Sequence, residues 1–198
     1  MCTVGKGCSQ CVNGSACVAS GFHSFAAGRN ASASGNASVA LGNNTVVGPG
    51  RSSTALGFTT TASGGVATAM GSRTNASGDT STAMGRGTTA SGAVSTAMGV
   101  KTTASGEYPY GGYSTAFGEA THASGLGATA MGVLTVASGA FETVVGVCNE
   151  KPATNDVNET LFRVGNGPSP NQFTSWEDFG CHEGRSDALR VERDGRCV

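Results

Sequence analysis

The sequence is short of the side chains from which compact cores are built. Aromatic residues make up 6% and charged residues 13% of its 198 positions, and there is a single tryptophan. A globular interior draws roughly 1.5–3 kcal/mol from each large apolar side chain it buries, and few such side chains are present. No run approaches the roughly 20 apolar residues of a membrane-spanning helix, so direct membrane insertion is not expected. The formal net charge is −1 and the pI is near 6.3. No basic stripe stands out along the chain, and nucleic acid is not an expected partner. Long polyampholyte runs are also missing, which argues against simple disorder. The first residues, Met1 through Lys6, lack the apolar core of a secretory signal. Two alternatives follow: a leader has been removed, or the chain is a piece of a longer protein.

Cysteine is absent between Val18 and Val147. Cys2, Cys8, Cys11 and Cys17 crowd the first segment, and Cys148, Cys181 and Cys197 fall in the last. This placement predicts disulfide staples at the two ends of a regular middle, in an oxidising compartment. Cys8 and Cys11 have the spacing of half a zinc site, and Cys181 stands beside His182. Disulfides are nonetheless the preferred reading and no metal is expected. The odd count leaves one thiol over, or paired between chains.

What the chain has in abundance is glycine, at a fixed interval. From Gly7 to Gly146, 17 of 19 successive intervals are seven residues long. One extra residue precedes Gly50, and five extra residues precede Gly118. Such regularity excludes chance. Half-units such as Ser81-Thr82-Ala83-Met84-Gly85 alternate with others such as Thr88-Thr89-Ala90-Ser91-Gly92, so the true period is 14. A heptad usually signals a coiled coil. Here glycine recurs every second turn at about 1 kcal/mol each, and no apolar seam accompanies it. Thr-rich pieces closed by glycine read instead as short strands joined by tight turns, two per coil of a β-solenoid. Ten coils at about 4.8 Å would make a rod of roughly 48 Å.

Side chains alternate across a strand, which assigns the faces. Alanine stands two residues before the glycine in nearly every half-unit, as at Ala69, Ala76, Ala83 and Ala90, and marks the inside of a thin roll. The residue just before the glycine then points outward. In one half-unit it is Leu41, Leu56, Met70, Met84, Met98, Phe117, Met131 or Val145; in the other it is mostly serine. Eight apolar side chains in a row form a stripe that soluble monomers avoid. These eight residues are therefore the expected seam between copies of the chain.

Strands such as Ser38-Val39-Ala40-Leu41-Gly42 and Ser95-Thr96-Ala97-Met98-Gly99 resemble the head repeats of trimeric autotransporter adhesins, the YadA-like head. The resemblance covers residues 21 to 146. It implies an all-β, left-handed parallel β-roll of 14-residue coils, homotrimeric, on a cell or virion surface. A second likeness lies in the tail. Leu161-Phe162-Arg163-Val164-Gly165, followed by Arg185-Ser186-Asp187-Ala188-Leu189-Arg190-Val191, is similar to a segment that follows such heads in bacterial and phage fibre proteins. The expected organisation is a Cys-rich cap and first coil over 1–20, head repeats over 21–146, and a β-rich segment over 147–198.

Two features are candidates for binding. The five-residue insertion brings Tyr108, Tyr110 and Tyr113, all the tyrosines of the protein, to one loop. Loops on rigid scaffolds carry function, and tyrosine is a preferred interface anchor. On the polar face, Thr61/Ser63, Thr89/Ser91 and Thr103/Ser105 form a ladder of the kind found on ice-binding surfaces. Catalytic arrangements were not found. His23, His122 and His182 are far apart in sequence, no carboxylate pair sits in a credible cleft, and an alanine-lined roll offers no pocket. Neither enzymatic activity nor a cofactor is expected. The reading is a non-enzymatic adhesive head of a homotrimeric surface fibre, its partners being itself and a host surface protein or glycan. The alternatives are a viral or phage fibre receptor-binding domain and, further off, an ice-binding solenoid.

Overall fold

The computed structural model describes residues 8–11, 16–106, 112–149, 160–166, 187–192 and 197. The first two strands are β1 (Cys8–Cys11) and β2 (Val18–Ala19). From there, five-residue strands alternate with two-residue ones. The long set is β3 (Phe25–Arg29), β5 (Val39–Asn43), β7 (Thr54–Phe58), β9 (Thr68–Ser72), β11 (Thr82–Arg86), β13 (Thr96–Val100), β15 (Thr115–Glu119), β17 (Thr129–Val133) and β19 (Thr143–Val147). The short set is β4 (Ser32–Ala33), β6 (Val46–Val47), β8 (Thr61–Ala62), β10 (Asn75–Ala76), β12 (Thr89–Ala90), β14 (Thr103–Ala104), β16 (His122–Ala123) and β18 (Val136–Ala137). The chain closes with β20 (Thr160–Asn166) and β21 (Asp187–Glu192). Among the described residues there is no helix.

Odd-numbered strands from β1 to β19, then β20 and β21, make a 12-stranded sheet; β2 to β18 make a nine-stranded sheet. Pairing between coils is parallel, and only β20 with β21 is antiparallel. The register repeats residue for residue, Met84 lying beside Met70 and Met98, and Ala90 beside Ala76 and Ala104. The molecule is thus a parallel β-solenoid with coils about 14 residues apart. Among the described residues nine complete coils are present rather than the ten expected: β19 pairs next with the tail strand β20, and no described short strand follows β18.

Alanine fills the interior. Ala69, Ala76, Ala83, Ala90, Ala97 and Ala104 are each 0% exposed, and so are their equivalents in neighbouring coils. Serine and threonine hydroxyls occupy the corners of the same interior, a feature the alternation did not predict. In the turns from a short strand to the next long one, some serines bond within the turn: the Ser38 hydroxyl donates to the Gly35 carbonyl and that of Ser95 to the Gly92 carbonyl, both at 2.6 Å, whereas Ser81 and Ser114 are buried with no partner for Oγ. At the opposite corner Thr45, Thr60, Thr74, Thr88 and Thr102 are buried with no hydrogen-bond partner for Oγ1.

Glycine is required in the long strands for two reasons. Gly99 has φ +122°, and a Cβ on it would collide with the carbonyl oxygen of Gly118 in the next coil. The turns need a second unusual conformation. Asn30, Asn44, Thr59, Arg73, Val94 and Lys101 are among the non-glycine residues held at φ between 50° and 60°. Their amides stitch the coils together, Val94 N–H donating to the Asp79 carbonyl at 2.7 Å and Lys101 N–H to the Arg86 carbonyl at 2.8 Å.

Both irregularities of the repeat fall at the same corner, between a short strand and the following long one. The extra residue near Pro49 lies between β6 and β7, and the 107–111 insertion between β14 and β15. Register is unbroken across each, with Leu41 beside Leu56 and Met98 beside Phe117. Insertions are absorbed at a corner, outside the paired strands.

At the C-terminal end the pattern changes. Glu142 stands where other coils have serine or alanine, and Asn149 stands where they have threonine. The Asn149 amide mimics a strand: its Oδ1 accepts from Val136 N–H at 2.7 Å and its Nδ2 donates to the Val136 carbonyl at 2.9 Å. The open edge of β18 is closed in this way. Glu142 accepts from the Ser138 and Gly139 amides at 2.9 and 2.8 Å and pairs with Arg163. Arg163, on β20, takes the interior column of Ala130 and Val144. Both side chains are buried.

Candidate functional surface

The expected seam is one continuous rank on the outer face of the 12-stranded sheet. Leu41, Leu56, Met70, Met84, Met98, Phe117, Met131 and Val145 are all in register. Most are half-buried by their neighbours within the rank, while Phe117 and Met131 are 52% and 39% exposed.

The polar face of the nine-stranded sheet is less regular. Thr61, Thr89 and Thr103 share a column with Val46, Asn75, His122 and Val136. A mixed column of this kind lacks the flat threonine repeat that ice recognition would use.

Of the three tyrosines, Tyr113 is 62% exposed; Tyr108 and Tyr110 lie outside the described residues. A Cβ on Gly106 would strike the Gly112 backbone, so the two residues that flank 107–111 abut.

The cysteines divide. Cys8 and Cys17 are disulfide-bonded. Cys2 and Cys181, and the side chain of Cys11, lie outside the description. Cys148 and Cys197 are not in disulfides, which corrects the expectation of a staple at the C-terminal end. The physical reason is placement. Cys148 is 1% exposed at the left-handed turn after β19, whereas Cys197 is exposed on an isolated bridge with Val191. The C-terminal end is instead closed by Asn149, Glu142 and Arg163. Among the described residues no group of three His, Cys, Asp or Glu side chains could hold a metal.

Charge gathers on one edge. Sequence order separates the basic residues, but the coils bring several of them to the same side of the roll. Arg29 and Arg86 end their long strands, Arg73 and Lys101 come just after theirs, and all four are exposed. Arg73, Arg86 and Lys101 occupy three consecutive coils. Arg86 stands one residue earlier in its coil than Arg73 and Lys101 do in theirs, so the three share an edge and not a single column.

A parallel β-solenoid with 14-residue coils, glycine-locked long strands and an alanine interior defines the class. The sequence matches the YadA head domain repeat over residues 19–45, 49–74, 66–88, 76–97, 90–108, 110–134 and 123–141, and the chain belongs to that family. No curated protein matches it.

Proposed function

We propose that the chain is the non-enzymatic, adhesive head of a homotrimeric surface fibre that attaches to host cells or matrix. The family is a structural and adhesive one, which supports this reading. The observation that carries it is the apolar rank from Leu41 to Val145. Its eight side chains are stacked in register on one outer face and are only half-covered within a single chain. Apolar area yields about 25 cal/mol per Å² on burial, so association through this face is strongly favoured. Three copies about one axis would cover all three ranks at once, and closed cyclic symmetry would leave none over. The exposed Tyr113, at the foot of the 107–111 insertion, is then a candidate contact for a host surface protein or glycan on the outside of the fibre.

Light scattering on the purified protein, with and without reductant, should give three times the chain mass. Met84→Asp combined with Met98→Asp should reduce it to a single chain. A wild-type protein that stays monomeric at micromolar concentration would sink the assembly. Attachment is checked by solid-phase binding to collagen, glycans or host cells, which a variant lacking residues 107–111 should weaken.

A further inference from the structure

We propose that the edge of the rod carrying Arg29, Arg73, Arg86 and Lys101 binds an acidic glycan, a linear polysaccharide bearing sulfate or carboxylate groups. The proposal rests on the surface-fibre reading, since it names a class of ligand that such a head would meet.

Four of the five Lys and Arg residues between positions 16 and 149 stand on this one edge. Arg73 and Lys101 hold the same turn position two coils apart, and Arg86 stands in the coil between them, one residue earlier, beside Ser72 and Val100. Like charges gathered on one edge repel one another unless something neutralises them. Nothing in the described chain does. None of the four side chains has an ion-pair or hydrogen-bond partner among the described residues. The nearest acid on the edge, Glu119, comes one coil beyond Lys101 and ends the row. An extended counter-anion supplied from outside fits the arrangement.

The row is also rigid. Arg73 N–H donates to the Phe58 carbonyl, Gly87 N–H to that of Ser72, and Lys101 N–H to that of Arg86, each at 2.8 Å. The backbone that carries the charges is therefore fixed before any ligand arrives, which lowers the ordering cost of binding.

Below the cations the same edge offers other chemistry. The Asn30 amide donates to Asn44 Oδ1 at 3.0 Å, both side chains being exposed, and Phe58 is 47% exposed between this pair and Arg73. Amides suit sugar hydroxyls, and one aromatic ring suits the apolar face of a sugar. Single-stranded nucleic acid calls for a series of stacking aromatics, and this edge has one.

The test compares the intact protein with an R73S/R86S/K101S variant on immobilised heparin, dextran and a thymidine oligonucleotide. Circular dichroism and light scattering check fold and assembly. The wild type should be retained on heparin at low salt, released by added salt, and not retained on dextran. The triple variant should bind heparin about tenfold more weakly or less, as expected for the loss of three charge contacts. Equal retention of the two proteins overturns the proposal, as does binding to the oligonucleotide as tight as to heparin. A changed oligomeric state in the triple variant would make the row a seam between copies and would also overturn it. Cell attachment separates the two readings. Attachment that survives the triple substitution but is lost without residues 107–111 leaves the adhesive head standing and removes this edge.

Discussion

In the middle of the roll each coil passes its backbone hydrogen bonds and its interior to a near-identical neighbour, whereas at the C-terminal end three side chains stand in for a neighbour that is missing. The middle needs only small residues: alanine inside, serine and threonine in the corners, glycine where two coils touch. At the end, Asn149 supplies one donor and one acceptor to β18, and the Glu142–Arg163 pair fills the space beyond Val144. A repeat can be made from the smallest side chains because each unit completes the next. Its termination needs long polar ones, because unpaired strand edges and buried amides must be satisfied without a further coil.

The sharpest way to break the middle is to add a single carbon where coils touch. Gly99→Ala places a methyl against the Gly118 carbonyl at a backbone angle of +122° that alanine resists. The stacked backbone cannot yield without disturbing both coils, and the expected loss is about 4 kcal/mol or more. Gly87→Ala is the control. Its φ is +66°, and a Cβ there meets only the Lys101 Cγ, at 3.8 Å, so the cost should be about 1 kcal/mol. Chemical denaturation at fixed protein concentration measures both. Similar losses for the two variants would show that glycine is used for flexibility rather than for contact.

At the end, charge is the element to break. Glu142→Ser restores the residue that other coils use, yet it leaves Arg163 buried without its counter-charge and the Ser138 and Gly139 amides without an acceptor. Truncating one partner of a buried pair typically costs about 3–5 kcal/mol. Adding Arg163→Ala removes the buried charge that Glu142 no longer balances and returns the interior column to its usual residue, so the double variant should be more stable than Glu142→Ser alone. A strictly additive loss would mean that the two groups act independently, and the end would then not be a coupled plug.

The regular part of this molecule was legible because glycine and alanine have few reasons to recur at a fixed interval. Gly85 and Gly99 marked the period, Ala83 and Ala97 the inside, Met84 and Met98 the outer rank. The capping residues were harder to read because each appears once. Their signal was a break in the columns: Glu142 at a serine position, Asn149 at a threonine position, and Arg163 two residues before Gly165, where alanine or valine is usual. The cations were missed for another reason. Arg73, Arg86 and Lys101 are unremarkable along the chain and come to one edge only when the coils stack. The left-handed turn residues gave no signal by type, since asparagine, threonine, arginine, valine and lysine all occupy them. Local preference there is overridden by the ladder hydrogen bonds on either side.

That override leaves a measurable strain, and the two regions should respond to its relief in opposite ways. Val94 is held at φ 55° although a β-branched side chain disfavours this region, and it is 48% exposed, so its side chain contributes little burial. Asparagine tolerates the same conformation and occupies it at positions 30 and 44. Val94→Asn keeps the amide that donates to Asp79 and should raise stability by about 1 kcal/mol, the usual cost of a left-handed residue. Cys148 stands at the matching conformation, φ 45°, in the last turn, but it is buried. Cys148→Asn relieves the same backbone preference while burying a polar amide, which costs about 1–3 kcal/mol if it finds no partner. The first substitution should therefore shift the denaturation midpoint up and the second down. If both move it up, conformational preference outweighs packing even at the end of the roll, and the distinction between a self-completing middle and a plugged terminus would fail.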